Sequence, residues 1–496
     1  MAEKQIKKLA QETAIYGVSS ILGKFLNWLL VPLYTYVLES SADYGVVTNL
    51  YSWTALLLVI LTYGMETGFF RFANKNKENA DRVYSTTLIS VSITSFIFAV
   101  SCVIFDNQIA NILGYDNYPE YISMLGVVVA IDAFASIPFA YLRYTNRPIK
   151  FAAIKFLYIV LNIIFNLFFL IACPWLMEYA PATVSWFYNP HYGVGYVFVA
   201  NILSTTLQTL ALIPYIINIK PSFDFSLLKK VLRYSLPLLV LGVAGIMNQT
   251  LDKILFPMLK PGVEGASELG IYGATSKIAL VMLMFTQAFR YAYEPFIFAQ
   301  NNDKNSMASY ADAMKFFIIF SLLIFLGMIM YMDIFKYIIQ EDYWVGLDIV
   351  PIVLMSFIFQ GIFFNLSLWY KLTDKTMYGA WFSIIGTIII VVGNVLLVPH
   401  FSYTGSAWAA FACYFVIMII SYYFGQKYMP IKYDLKTIGL YTGVTIILYV
   451  LSLFINTPYT IVNVALKTIL MILFLTLLVK RDFPLRSIPY INRFLK

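Results

Sequence analysis

Ionisable residues fall inside apolar stretches of the sequence, among them Lys24, Glu66, Asp132, Asp252, Lys253, Lys277, Arg290, Glu294 and Lys467. A charged side chain at mid-bilayer costs roughly 2.5–3.5 kcal/mol on insertion scales, so each needs water, a counter-ion or a ligand. Lys and Arg at such depth suit an anionic group such as a phosphate, and a deep carboxylate suits a proton or a metal cation. Gly17, Ser20, Lys24 and Asn27 are spaced 3, 4 and 3 apart, which places them on one helix face. Lys24 lies about ten residues, roughly 15 Å, into its run, too deep to snorkel easily to the headgroups. It reads either as a cation lining a water-filled lumen or as half of an ion pair inside the bundle, with Asp252 or Glu66 as partner.

The other charges leave similar choices. Glu66 is a lumen carboxylate or a headgroup-level one. Asp252 and Lys253 are adjacent and point about 100° apart, so they need not neutralise each other. Asn248 and Gln249 lie beside them. The stretch holding Gly273, Lys277, Gln287, Arg290, Tyr291 and Glu294 is the richest in polar residues. Arg290 and Glu294, at i and i+4, either pair with each other or face the lumen. Asp132 is either a coupling site for a proton or cation, or a packed, hydrogen-bonded group. Lys467 either snorkels or meets a lipid phosphate. Catalytic and metal chemistry find little support. His191 and His400 are far apart, and Cys102, Cys173 and Cys413 all sit in apolar runs, with no CxxC spacing. No cofactor site is expected.

The elements that must position these groups are transmembrane helices. The 496 residues are 60% hydrophobic and only 12% charged, with mean hydropathy +0.75. That excludes a soluble enzyme, a disordered chain and a disulfide scaffold. Apolar runs lie near 14–38, 44–70, 84–105, 120–144, 151–173, 193–217, 232–258, 268–295, 312–333, 347–371, 379–397, 404–424, 437–455 and 459–479. Each is far too long for a barrel strand, so the expected fold is all-α and polytopic, with about fourteen spans. The first run reads as an uncleaved span. With the N-terminus in the cytoplasm, 27 of the 34 Lys and Arg fall in inner loops and tails, Lys155 among them, and two, Lys260 and Lys336, in outer loops. This asymmetry predicts that both termini are cytoplasmic. It also assigns the +8 net charge to membrane orientation rather than nucleic acid. The longest outer loop, Pro174 to Tyr192, carries Trp175, Trp186 and Tyr188 and reads as an interfacial aromatic segment.

An internal repeat organises the runs. Ala42-Asp43-Tyr44-Gly45-Val46 resembles Ser267-Glu268-Leu269-Gly270-Ile271, and the same offset, 225, carries Pro32 onto Pro257. Arg143-Tyr144-Thr145-Asn146-Arg147 resembles Lys371-Leu372-Thr373-Asp374-Lys375 at offset 228, which also carries Asn166 onto Asn394. Gly195 matches Gly405 at offset 210. The expected organisation is an N-terminal lobe, 1–217, and a C-terminal lobe, 218–424, each of six helices. Residues 425–496 supply two further helices and a cytoplasmic tail. Because six is even, the lobes relate by an axis along the membrane normal, a transporter architecture.

On these features the chain resembles the polysaccharide flippases, the Wzx-type O-antigen and capsule translocases of the multidrug/oligosaccharidyl-lipid/polysaccharide exporter superfamily. Local carriers are Tyr44-Gly45, the run Tyr63-Gly64-Met65-Glu66-Thr67-Gly68-Phe69-Phe70-Arg71-Phe72 and Gly193-Val194-Gly195-Tyr196. The resemblance implies translocation of undecaprenyl-pyrophosphate-linked oligosaccharide across the bacterial cytoplasmic membrane by alternating access, in surface polysaccharide biosynthesis such as O-antigen and lipopolysaccharide. Lys24, Asn27, Glu66, Asp252, Lys253, Lys277, Arg290 and Glu294 are then candidates for the substrate lumen, and Asp132 for the coupling ion. Lys24, Lys253, Lys277 and Arg290 stand against Glu66, Asp132, Asp252 and Glu294, four charges against four. Implied partners are the lipid-linked oligosaccharide, membrane lipids and polysaccharide polymerase machinery. Alternatives are a lipid II flippase or cation-coupled drug antiporter of the same superfamily. A membrane enzyme, either a polymerase or a polyprenol-sugar glycosyltransferase, fits less well. Such enzymes carry catalytic residues in sizeable outer loops, and here the first outer loop offers only Glu39 and Asp43.

Overall fold

The computed structural model describes residues 21–26, 28–75, 77–300 and 306–482, without the side chains of Lys77, Ala292, Ser306 and residues 294–300. Among the described residues the chain is helical, with short connections and no strand. The principal helices are α1 (Leu30–Val37, preceded by helical residues 21–26), α2 (Ser41–Thr62), α3 (Met65–Lys75), α4 (Ala80–Ile104), α5 (Glu120–Tyr144) and α6 (Pro148–Leu167). They continue with α7 (Gly195–Leu210), α8 (Phe225–Leu259), α9 (Val263–Ile278), α10 (Leu280–Gln300), α11 (Ser306–Met330) and α12 (Val350–Leu366). The last three are α13 (Met377–Tyr428), α14 (Leu435–Leu453) and α15 (Thr460–Arg481).

Ten of these segments are long and apolar enough to cross a membrane, or eleven if the bent pair α9–α10 is one span. The difference from the fourteen expected runs has physical causes. The first run extends beyond the described residues, and α7 has only 16 residues. The 52-residue α13 contains two runs. It is helical except at Ser402 (φ 53°), just after Pro399, and there it reverses. Ser406 Oγ donates to Asn394 Oδ1 at 2.7 Å. Twelve residues of continuous helix would separate their backbones by about 18 Å, so α13 is a hairpin of two spans with almost no loop.

Local sequence sets the other ends. Ser40 and Asp43 form a capping box at α2, with Ser40 N donating to Asp43 Oδ2 at 3.0 Å and Asp43 N to Ser40 Oγ at 3.3 Å. Asp43 is thereby used as a cap. Tyr63 (φ 33°) and Gly64 (φ 70°) break α2 from α3. A Cβ on Gly64 would fall 2.9 Å from the Ser235 carbonyl oxygen of α8, so glycine there serves both the turn and a close backbone approach.

Positions paired by the repeat share geometry. Asn146 (φ 53°) and Asp374 (φ 57°) both adopt the left-handed conformation. Arg147 N donates to Leu142 O at 2.9 Å, and Lys375 N to Tyr370 O at 2.8 Å. Thr145 Oγ1 donates to Tyr141 O and Thr373 Oγ1 to Trp369 O. Asn166 and Asn394, both fully buried, each donate to the carbonyl four residues earlier. The strongest contact at these offsets is mutual. A Cβ on Gly45 of α2 would collide with the carbonyl of Ala266, and one on Gly270 of α9 with the carbonyl of Ser41. Only glycine lets the two backbones approach this closely.

Candidate functional site

A cavity of about 560 Å³ lies among α1, α2, α5, α6, α7, α8, α9, α10, α12 and α13, within the apolar spans. Its walls carry Asp132, Asp252, Lys253 and Lys277. Amides and hydroxyls surround these charges. Asn201 Nδ2 donates to Tyr51 Oη at 2.9 Å, Gln360 Nε2 to Tyr414 Oη at 3.1 Å, and Tyr414 Oη to Asn248 O at 3.2 Å. Tyr158 and Asn162 of α6, at i and i+4, face the same space.

The charges distribute unequally. Asp252 is buried, and its Oδ2 accepts from Tyr272 Oη at 2.6 Å and from Lys253 Nζ at 2.8 Å. Asp252 and Lys253, which need not neutralise each other at their separation of about 100°, do pair here. Their Cβ directions diverge, but four methylenes let the ammonium fold back onto its neighbour. Glu66 lies away from the cavity and forms an ion pair with Arg143. Lys277 Nζ has no hydrogen-bond or ion-pair partner among the described residues. Lys24 also has none, and neither Asp252 nor Glu66 serves as the partner that the pairing alternative required. Lys24 lies outside the cavity wall but close enough to Lys277 and to Arg290 to repel both. Arg290 also lies outside the wall, with its guanidinium 5.6 Å from the Phe364 ring. Asn27 and the side chain of Glu294 lie outside the described residues.

The balance of four against four therefore does not hold locally. Glu66 is withdrawn by Arg143, and Asp252 by Lys253 and Tyr272. The α9–α10 side is left with Lys277 and Lys24, which repel each other, and Lys24 also feels the charge of Arg290. Across the cavity stands Asp132, which attracts Lys155 of α6 from a distance beyond ion pairing. Lys155 Nζ sits 4.0 Å from the Phe139 ring. Lys467 is paired with Asp333 at 2.7 Å, which answers the choice between snorkelling and a lipid phosphate. The tyrosines were not singled out in the sequence, because tyrosine in an apolar run is indistinguishable from packing. The Tyr158–Asn162–Asn166 spacing was the available signal.

Two acceptors in the wall lack donors: Asp252 Oδ1 and Gln360 Oε1 have no hydrogen-bond partner among the described residues. The cavity thus offers an ammonium without a counter-ion and acceptors without donors. Such a set can hold an anion that also bears hydroxyl groups.

A family model described as polysaccharide biosynthesis protein matches residues 38–351, more than half of the chain. No curated protein matches. Among solved structures, the lipid II flippase MurJ in an inward closed conformation superposes with TM-score 0.73 at 13% identity, covering 94% of this chain and 99% of that one. An inward-facing multidrug resistance MATE family transporter of the MOP superfamily gives 0.64 at 14% identity, covering 82% and 94%. A MOP superfamily transporter from Pyrococcus furiosus gives 0.52 at 14% identity, covering 85% and 94%. At such identities the likeness is one of fold, and these folds belong to multi-pass membrane transporters. The chain belongs to the polysaccharide biosynthesis protein family and has the fold of the MOP-superfamily transporters.

Proposed function

We propose that the chain flips an undecaprenyl-pyrophosphate-linked oligosaccharide from the inner to the outer leaflet of the bacterial cytoplasmic membrane, by alternating access and without catalysis. Residues 1–217 and 218–424 act as the two moving lobes, and both termini are cytoplasmic. The observation that carries this reading is Lys277, an ammonium without a partner among the described residues in a polar cavity inside apolar helices. A sugar pyrophosphate cannot cross hydrocarbon unaided, and an unpaired cation in low dielectric binds such an anion far more strongly than in water. Lys24 and Arg290 add to the same field. Asp252 Oδ1 and Gln360 Oε1 are free to accept sugar hydroxyls. Asp132, on the opposite wall, remains the candidate for a coupling proton or cation.

A charge-reversal series tests the reading. Lys277→Glu and Lys277→Ala should abolish surface polysaccharide at normal protein level, while Lys277→Arg should keep substantial output. Unchanged polysaccharide from Lys277→Glu would end the proposal. The MurJ likeness over 94% of the chain favours a second reading, a lipid II flippase with the same pyrophosphate chemistry. Rescue of a strain depleted of its lipid II flippase would establish that one. Loss of surface polysaccharide without growth arrest on deletion supports the first.

A further inference from the structure

We infer that Trp28 is a positioning residue for the Lys277 ammonium; the inference rests on the reading of Lys277 as an anion-binding group. Lys277 is the penultimate residue of α9, and α10 leaves at an angle of 45° after the break. The last carbonyls of a helix lack intrahelical partners, so a broken end frays unless something else holds it. Here the Lys277 carbonyl accepts from the Ala279 N–H within the break and, from 249 positions away, from the Trp28 indole N–H at 2.8 Å. The indole is itself steadied by stacking on Phe25, with centroids 5.8 Å apart and planes at 21°. Fixing the carbonyl at a helix break fixes the direction of the Cα–Cβ bond. It therefore fixes where a flexible lysine can deliver its charge.

The other cavity lysine is held in the same way. Asn49 Nδ2 of α2 donates to the Lys253 carbonyl of α8 at 2.8 Å, and Asn49 Oδ1 accepts from Tyr115 Oη at 2.9 Å. In both cases the donor precedes residue 217 and the carbonyl follows it. The hold on the two lysines therefore exists only while α1 and α2 lie against α8 and α9. Parting these helices on the outer side frees both lysine backbones at once. Anion affinity then falls as the outer side opens, which favours release in that direction.

The test is binding of farnesyl pyrophosphate to the full chain in nanodiscs. Lys277→Ala should weaken binding by about tenfold or more, as expected for losing a charged partner. Trp28→Phe should weaken it by roughly three- to tenfold, the range for one hydrogen bond. Benzothienylalanine at position 28, which exchanges only the N–H for sulfur, should do the same without changing ring bulk. In a Lys277→Ala background neither change at position 28 should weaken binding further. Equal losses in both backgrounds would show that the indole acts on general packing, and would overturn the inference while leaving the cavity reading intact. Unchanged binding by the benzothienyl variant would also overturn it. Unchanged binding by Lys277→Ala would instead remove the cavity reading, and the inference with it.

Discussion

Lys24 shows what a single charge contributes when its alternatives are closed. The two carboxylates that could have neutralised it are engaged, Asp252 with Lys253 and Glu66 with Arg143. Lys24 therefore adds field rather than a bond, and its replacement should cost function before stability. Lys24→Ala is expected to reduce surface polysaccharide strongly at normal membrane level, and Lys24→Arg to retain it, read by polysaccharide assay beside an immunoblot. Normal output from Lys24→Ala would remove it from the site. Residue types made the intramembrane charges legible in the sequence, since any charge in an apolar run is anomalous. Their pairing was less so. Lys155 counted as an inner-loop cation although it lies inside the run 151–173; it is seven residues into α6 and lies over Phe139. The Glu66–Arg143 pair joins α3 to α5 through a fold that neither local sequence contains.

Helices and their contacts obey more local rules, and most were foreseeable. Thirteen of the fourteen apolar runs fall on helices wholly within the described residues. The breaks at Tyr63–Gly64 and Ala279 were not foreseen: they interrupt helices without a change in hydropathy, and only Gly64 hints at them, whereas the reversal at Ser402 falls in the gap between the runs 379–397 and 404–424. The Gly45 and Gly270 contacts make a clear demand on sequence. Gly45→Ala should force α2 and α9 apart at a cost of about 1–3 kcal/mol, the usual range for overpacking. Gly270→Ala should behave alike. Both should raise labelling of a cysteine at position 48 by a membrane-impermeant maleimide added from outside; unchanged labelling would mean that the contact does not close the outer side.

Asp224 caps α8 through Leu227 N at 3.0 Å and lies 3.1 Å from Arg82. The Leu227 N–H first, and Arg82 with it, holds the Asp224 carboxyl below its usual 3.8. A depressed carboxylate stabilises the fold above the unfolded pKa, and that stability is lost as pH falls through the folded one. The Tm difference between wild type and Asp224→Ala should therefore be full at pH 7 and shrink below about pH 4. A difference independent of pH would show that the charge contributes nothing.

At the scale of the whole molecule, the asymmetry of 27 inner cations against two outer ones makes orientation testable. Reporter fusions after Asn117 and within residues 174–192 should report outside. Fusions after Asn79, after Asp303 and at the C-terminus should report inside. An outside C-terminus would defeat the even span count. The paired turns at Asn146 and Asp374 were legible because their backbone limits which residues fit. Asn146 and Asp374 differ in residue type, but both tolerate the left-handed backbone that their turns require. The cavity was not legible as a shape, since it is assembled from ten helices and no pair of them encloses it.

The Gly45–Ala266 and Gly270–Ser41 contacts have a bearing on hydrocarbon. Where two helices touch backbone to backbone, no gap as wide as a methylene chain remains between them. Under the proposed function, a polyprenyl tail attached to a headgroup in the cavity could not thread outward along the α2–α9 seam while these glycines are in contact. It would have to reach the surrounding acyl chains between other helices, so that head and tail would travel by different routes through one protein.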